Sequence, residues 1–188
     1  MLVENLKSII KSDQWMMDRL EALLYFQIED AWIGAGFIRN RIWDHFHAFP
    51  PNDQLNDIDV IYFDASILAP EKEAEMEAYL RSKYPHDNWS VKNQARMHLK
   101  HGHQAYSSCE EALSHWVETP TCVAAKLWPD KNSLEILAPH GVHDLMELKV
   151  RPNPTYGPNK AAVYNQRIRQ KKWATMWPKL DIQFMSSA

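Results

Sequence analysis

Two carboxylates one residue apart at the head of an apolar run, Asp57-Ile58-Asp59-Val60-Ile61-Tyr62-Phe63, constrain this chain more than any other feature. Side chains alternate across a β-strand, so Asp57 and Asp59 share one face while Ile58, Val60 and Tyr62 take the other. After the acids the run is apolar on both faces, the pattern of a covered central strand. Like charges this close repel, and a divalent cation relieves the repulsion. Mg²⁺ takes one or two carboxylates together with substrate phosphate oxygens. Asp57 and Asp59 are therefore the candidate catalytic residues and the candidate ligands of Mg²⁺ or Mn²⁺.

An anion seat precedes that strand. Trp32-Ile33 reads as a short apolar strand and Gly34-Ala35-Gly36 as a tight turn. From Phe37 a helix is expected, with Ile38, Ile42 and Phe46 on one stripe. Free N–H groups and the helix dipole favour a phosphate at such an N-terminus. Arg39, one turn in, can reach two phosphate oxygens through its planar fork. Neither the turn nor the acid pair is specific alone. Their order, with 20 residues and a helix between Gly36 and Asp57, points to a metal–nucleotide site.

Length and charge narrow the field. At 188 residues there is room for one domain, 1–188, divided into N-terminal helices (1–30), an acid-bearing core (31–98) and an extension packed on it (99–188). A net charge of −3 argues against a protein that coats nucleic acid. Cys109 and Cys122 lack the spacing of a zinc site and read as reduced thiols of a cytoplasmic protein. Lys7, Lys11, Asp13 and Asp18 interrupt the N-terminal apolar pattern, so neither a signal peptide nor a membrane span is expected.

The remaining pattern predicts further elements. Residues 2–29 read as a helix pair broken at Ser12-Asp13, and Pro50-Pro51-Asn52-Asp53 as a loop. A helix opens at Pro70 and runs to Lys83, with Glu71, Glu73 and Glu75 as solvated partners of its dipole. Trp89 to Asn93 is a strand, with Asp64 a strand-end or cap residue before that helix. His98, His101 and His103 fall in a polar hairpin or loop. A capping box opens a helix at Ser107–Glu111. A hairpin pairs Thr121–Leu127 with Leu134–Leu137, and a short helix spans Val142–Leu148. The last helix, Ala161–Met176, carries Arg167, Arg169, Lys171 and Lys172 on what reads as a solvated basic face.

Gly34-Ala35-Gly36-Phe37-Ile38-Arg39-Asn40, followed by Asp57-Ile58-Asp59-Val60, resembles the signature of the DNA polymerase β-like nucleotidyltransferase superfamily. Its CCA-adding and bacterial poly(A) polymerase branch reads roughly G-G-x-V-R-D and then D-x-D. Nearly the whole chain resembles a group of small bacterial nucleotidyltransferase family proteins, through VKNQARMH at 91–98, ETPT at 118–121, APHGVHDL at 138–145, VRPNP at 150–154 and the closing KKWATMWPKL. The resemblance implies an α/β nucleotidyltransferase fold: a small mixed sheet flanked by helices, with a C-terminal hairpin and helices. It also implies metal-dependent transfer of a nucleotide from a nucleoside triphosphate to an acceptor hydroxyl, with release of pyrophosphate.

Residue by residue, the resemblance gives Gly34, Ala35, Gly36 and Arg39 to the phosphates. Ala35 replaces a family glycine, which requires that its φ stay below zero. Asn40 stands where the polymerase branch has Asp, and keeps the hydrogen bonding without the charge. A third carboxylate is expected on the next strand, shortly before an arginine; Arg96 matches the arginine, and Asn93 offers only a carbonyl oxygen. On this reading Asn93→Asp would restore lost activity. Glu118 falls at the R-R-D-F-T motif as a contact to ribose or base. Glu135 is a remote spare acid, and Asp144 a helix-start hydrogen-bonder. The missing acid leaves open a catalytically impaired nucleotide-binding protein or an antitoxin-like interaction protein. No RNA-binding domain is evident, which favours a small-molecule or protein hydroxyl over nucleic acid as acceptor.

Overall fold

In a computed structural model describing residues 1–51 and 57–186, the apolar run after Asp57 lies inside a five-stranded sheet. The strands are β1 (Ala31–Gly34), β2 (Asp57–Tyr62), β3 (Asn88–Asn93), β4 (Ala124–Leu127) and β5 (Leu134–Leu137), in the order β3-β2-β1-β4-β5. β2 and β3 are parallel and every other pairing is antiparallel, so the sheet is mixed. The register sets Asp59 beside Gly34 on one side and Ser90 on the other. The expected loop residues Asn52 and Asp53 lie outside the described residues.

The two faces of the sheet are covered unequally. Ile33, Val60, Val91 and Ala125 point into the main core, beneath α1 (Leu2–Ser12), α2 (Gln14–Leu23), α3 (Gly36–His47) and α4 (Glu71–Lys83). α1 and α2 break where expected, because the Asp13 side chain accepts the Met16 N–H and caps the second helix. Trp32, Ile61 and Ala124 point the other way and meet a smaller cluster built on Cys109 and Leu113 of α6 (Cys109–Ser114). Asp57 and Asp59 share this second face by strand parity. Beyond α6, that face is available for a cleft.

Four expectations change. Residues 98–101 are helical: α5 (Gln94–His101) starts from Asn93, whose Oδ1 accepts the Ala95 N–H, and ends at Gly102 with φ +66°. Glu73 is not a solvated dipole partner but a buried one, accepting the Asn93 N–H at 2.8 Å and a two-pronged bond from Arg96 at 2.9 and 2.5 Å. The last helix divides into α8 (Ala161–Lys171) and α9 (Trp173–Met176), because Lys172 takes the left-handed conformation, φ +52°. That break turns Trp173 inward, 5.3 Å from the ring of Trp43 on α3. The first hairpin strand also starts late, with a 3₁₀ turn at Thr119–Thr121 before β4.

Short elements complete the chain: α7 (His143–Met146), then β6 (Lys149–Val150) paired in parallel with β7 (Asp181–Ile182). Among the described residues no helix is long and apolar enough to cross a membrane.

Asn93 is fully committed to this scaffold. Its Nδ2 donates to the carbonyls of Asp64 and Ile67 at 2.8 and 2.9 Å, and its Oδ1 accepts from the Asp64 and Ala95 amides. Asp64 is a turn residue after β2, accepting from the amide and hydroxyl of Ser66. Asn93→Asp sets a carboxylate against two carbonyl oxygens and should destabilise the fold by about 2 kcal/mol, read as a lower guanidinium midpoint. An unchanged midpoint would contradict the bonding described.

Candidate active site

Where β1 runs into α3, the backbone is under strain. Ala35 has φ +53° and ψ −127°, a conformation that favours glycine, so the expectation of a negative φ is overturned. The turn is fixed on both sides. The Ala35 carbonyl accepts the Arg39 N–H and opens α3, while Gly34 lies against β4. A Cβ on Gly34 would sit 3.2 Å from both the Ala124 Cβ and the Val123 carbonyl oxygen, which explains glycine there. No side chain caps α3, so its first-turn N–H groups lack intrahelical partners. Ala35 and Gly36 line a cleft of about 360 Å³ with Asp57 and Asp59. Two larger hollows, one around Arg41 and Asp44 and one beneath Trp128, do not include the acids.

Within the cleft the acids differ. Asp57 is exposed and accepts from Asn88 Nδ2 at 2.5 Å. Asp59 is half-buried, and its pKa is pushed up to about 6, first by burial and then by the Asp57 charge. Arg39, Lys171 and Lys92 oppose the shift.

Cations face the pair. The Arg39 guanidinium is buried 4.4 Å over the Trp173 ring, donating to Asn40 Oδ1 at 3.1 and 3.0 Å and to the Thr121 hydroxyl at 2.8 Å. Burial lowers its pKa to about 10, partly offset by Glu118, so it is charged at neutral pH. Arg167 and Lys171, one turn apart on α8, line the same cleft. Burial, then Arg167 and Arg39, lower the Lys171 pKa. Both lay in the stretch expected to be a solvated basic face; only their i, i+4 spacing hinted at a shared direction.

Glu118 has no exposed surface, so its carboxylate is not open to a ribose or base. It accepts from Arg167 and from the Thr121 hydroxyl, and so aims α8 at the cleft. Asn40 serves the same local end by holding Arg39.

Other sequence candidates lie elsewhere. Asn93 pairs with Tyr62 on the core face of the sheet, opposite the acids, and Arg96 is engaged by Glu73. The β3 residues on the acid face are Asn88, Ser90 and Lys92, with Ser90 in register with Asp59. Glu135 pairs with Lys126 and accepts from Trp128. Asp144 caps no helix; it accepts from the Thr119 hydroxyl and pairs with Arg151. Among the described residues, no group of three His, Cys, Asp or Glu side chains is placed to hold a metal ion.

An acid pair facing an uncapped helix N-terminus and three cations, on a mixed sheet, makes a cleft with seats for both an anion and a cation. Residues 21–182 match the family described as Nucleotidyltransferase, and the chain belongs to it. It is similar to an NMR structure reported to reveal a CCA-adding enzyme head domain, with TM-score 0.83 and 29% identity over 97% of this chain and 96% of that one. CCA-adding enzymes solved with CTP and with ATP share the fold at TM-scores of 0.52 and 0.51, with 16% and 17% identity over 81% of this chain. The chain spans 36% and 35% of their lengths. A search of curated proteins found no match.

Two measurements test this geometry. Ala35→Gly should raise stability by about 1 kcal/mol by relieving positive-φ strain, read from denaturant unfolding; no gain would remove the strain. For Asp59 the folded pKa, about 6, lies above the ordinary carboxylate value near 3.8. The folded state therefore binds more protons between those values, and its stability falls as pH rises through that window. Asp59→Asn should stabilise the metal-free protein at pH 7.5 by about 1–2 kcal/mol and leave it unchanged at pH 4. Equal effects at both pH values would contradict the assigned cause.

Proposed function

We propose that the protein transfers a nucleotide from a nucleoside triphosphate to an acceptor hydroxyl, releasing pyrophosphate. The observation carrying this reading is the placement of Asp57 and Asp59 on one face of β2, in a cleft that Arg39, Arg167, Lys171 and the start of α3 also line. Two hard carboxylate oxygen donors suit Mg²⁺ or Mn²⁺, and Asp57 and Asp59 would hold it. Bound there, the metal would supply charge neutralisation at the reacting phosphate and lower the pKa of the attacking hydroxyl.

The chain's own groups do the positioning. The amides at Gly36 and the Arg39 guanidinium bind the phosphate tail, while Arg167 and Lys171 offset charge that grows as pyrophosphate departs. The acceptor oxygen bonds to the α-phosphorus as the bond from that phosphorus to the bridging oxygen breaks. Pyrophosphate leaves with the electron pair, and the hydroxyl proton passes to solvent. The CTP and ATP bound by the similar CCA-adding enzymes support a nucleoside triphosphate as donor.

Ser90, uncharged beside Asp59, favours a second reading in which nucleotide is bound but transferred slowly. Calorimetry with ATP, CTP, GTP and UTP, each with Mg²⁺ or Mn²⁺, tests the first step. Binding should require metal and weaken at least about tenfold in Asp57→Asn/Asp59→Asn, a loss of about 1.4 kcal/mol or more. Metal-independent binding, or none, would sink the proposal. Ser90→Asp should tighten Mn²⁺ binding and raise pyrophosphate release over an acceptor screen; a rise with Asn93→Asp instead would overturn the assignment of faces.

A further inference from the structure

A second cavity of about 360 Å³ adjoins the acid cleft, and Trp116, Thr121 and Arg167 line both. One wall comes from the end of α5, the segment after it and the end of α6: His101, His103, Tyr106 and His115. His103 Nδ1 lies 2.5 Å from the Tyr106 hydroxyl, the His103 and His115 rings are 4.5 Å apart, and Tyr106 stacks on His115 at 22°. The other wall is Tyr156, Lys160 and Val163, with the Lys160 ammonium 4.4 Å over the Tyr156 ring.

Among the described residues, no carboxylate lines this cavity. The two nearby acids are turned to other work: Glu118 is buried against Arg167, and Glu111 accepts the amide and hydroxyl of Ser107. The His103 pKa is lowered, by burial first and then by His115, Lys160 and His101. These walls offer ring nitrogens, an ammonium and a guanidinium, together with flat faces for stacking.

We propose that this cavity holds the acceptor, a small ring compound that carries an anionic group and presents its hydroxyl past Thr121 and Arg167 to the acid cleft. The inference rests on the nucleotidyl-transfer reading. Lys160 and the histidine wall hold the anion, Tyr106 and His115 stack on the ring, and Arg167 borders both substrates. A carboxylate or a phosphate satisfies the same donors.

The test uses calorimetry on the full chain with three probes: 4-(hydroxymethyl)benzoate, 4-(hydroxymethyl)phenyl phosphate and uncharged benzyl alcohol. Both anions should bind and benzyl alcohol should bind at least about tenfold more weakly; the tighter anion names the group. Lys160→Ala should weaken both anions about fivefold, as the loss of roughly 1 kcal/mol of charge pairing requires. Val163 is 64% exposed on α8, so Val163→Trp can fill the cavity mouth without disturbing the core. It should abolish probe binding and leave ATP–Mg²⁺ affinity within about twofold of wild type. Equal binding of charged and uncharged probes, or no binding, overturns the proposal. Weakened ATP binding in Val163→Trp also overturns it, because the cavity would then belong to the nucleoside. If wild type fails to bind ATP–Mg²⁺, the transfer reading falls and this inference with it; if ATP binds and the probes do not, only the acceptor cavity falls.

Discussion

A carboxylate with no exposed surface is tolerable only when paired, and Glu118 meets that condition by gripping Arg167 and Thr121. Much of the cleft depends on that grip. Thr121 in turn receives Arg39, so one buried acid links the turn before β4, the first turn of α3 and the face of α8. Removing its charge would leave Arg167 and Arg39 repelling each other unopposed by Glu118. The arrangement separates two jobs given to acids here: Glu118 is buried and organises cations, whereas Asp57 and Asp59 remain accessible and in excess of protein partners.

The unequal faces of the sheet explain why chemistry sits where it does. Helices α1 to α4 bury the core face, and burying apolar side chains of the size of Trp43, Phe37 and Ile33 stabilises by roughly 1.5–3 kcal/mol each. The second face carries α6 over part of its width, and its open part is lined by Asp57, Asp59, Ala35 and the C-terminal helices. The main core lies on one side and the acid cleft on the other, with β2 contributing to both through alternate residues.

Local chemistry made the turn, the acid-bearing strand and α3 legible in the sequence, because period-2 and period-3.6 patterns are readable from neighbours alone. What stayed hidden depended on long-range register. The third acid position was sought at Asn93, yet parity against β2 puts that residue on the wrong face and Ser90 beside Asp59. The burial of Glu73 follows from Arg96 and the Asn93 amide, 23 and 20 residues away, which no window of the sequence displays. Arg167 and Lys171 looked solvated because the Lys172 break, which folds α9 back against Trp43, leaves no compositional mark. The positive φ of Ala35 was equally unreadable, since alanine ordinarily avoids it.

α3 is held at both ends by groups with different tasks. Its N-terminus opens on the cleft, while Asp44 and His47 near its C-terminus accept the Trp177 indole N–H and the Lys179 amide. Trp173 and Trp177 of the tail also pack edge-on against Trp43 at mid-helix. The tail that carries Arg167 and Lys171 is thus riveted to the helix whose N-terminus opens on the cleft. The width of the cleft is therefore set in part by the packing of three tryptophan rings, none of them charged.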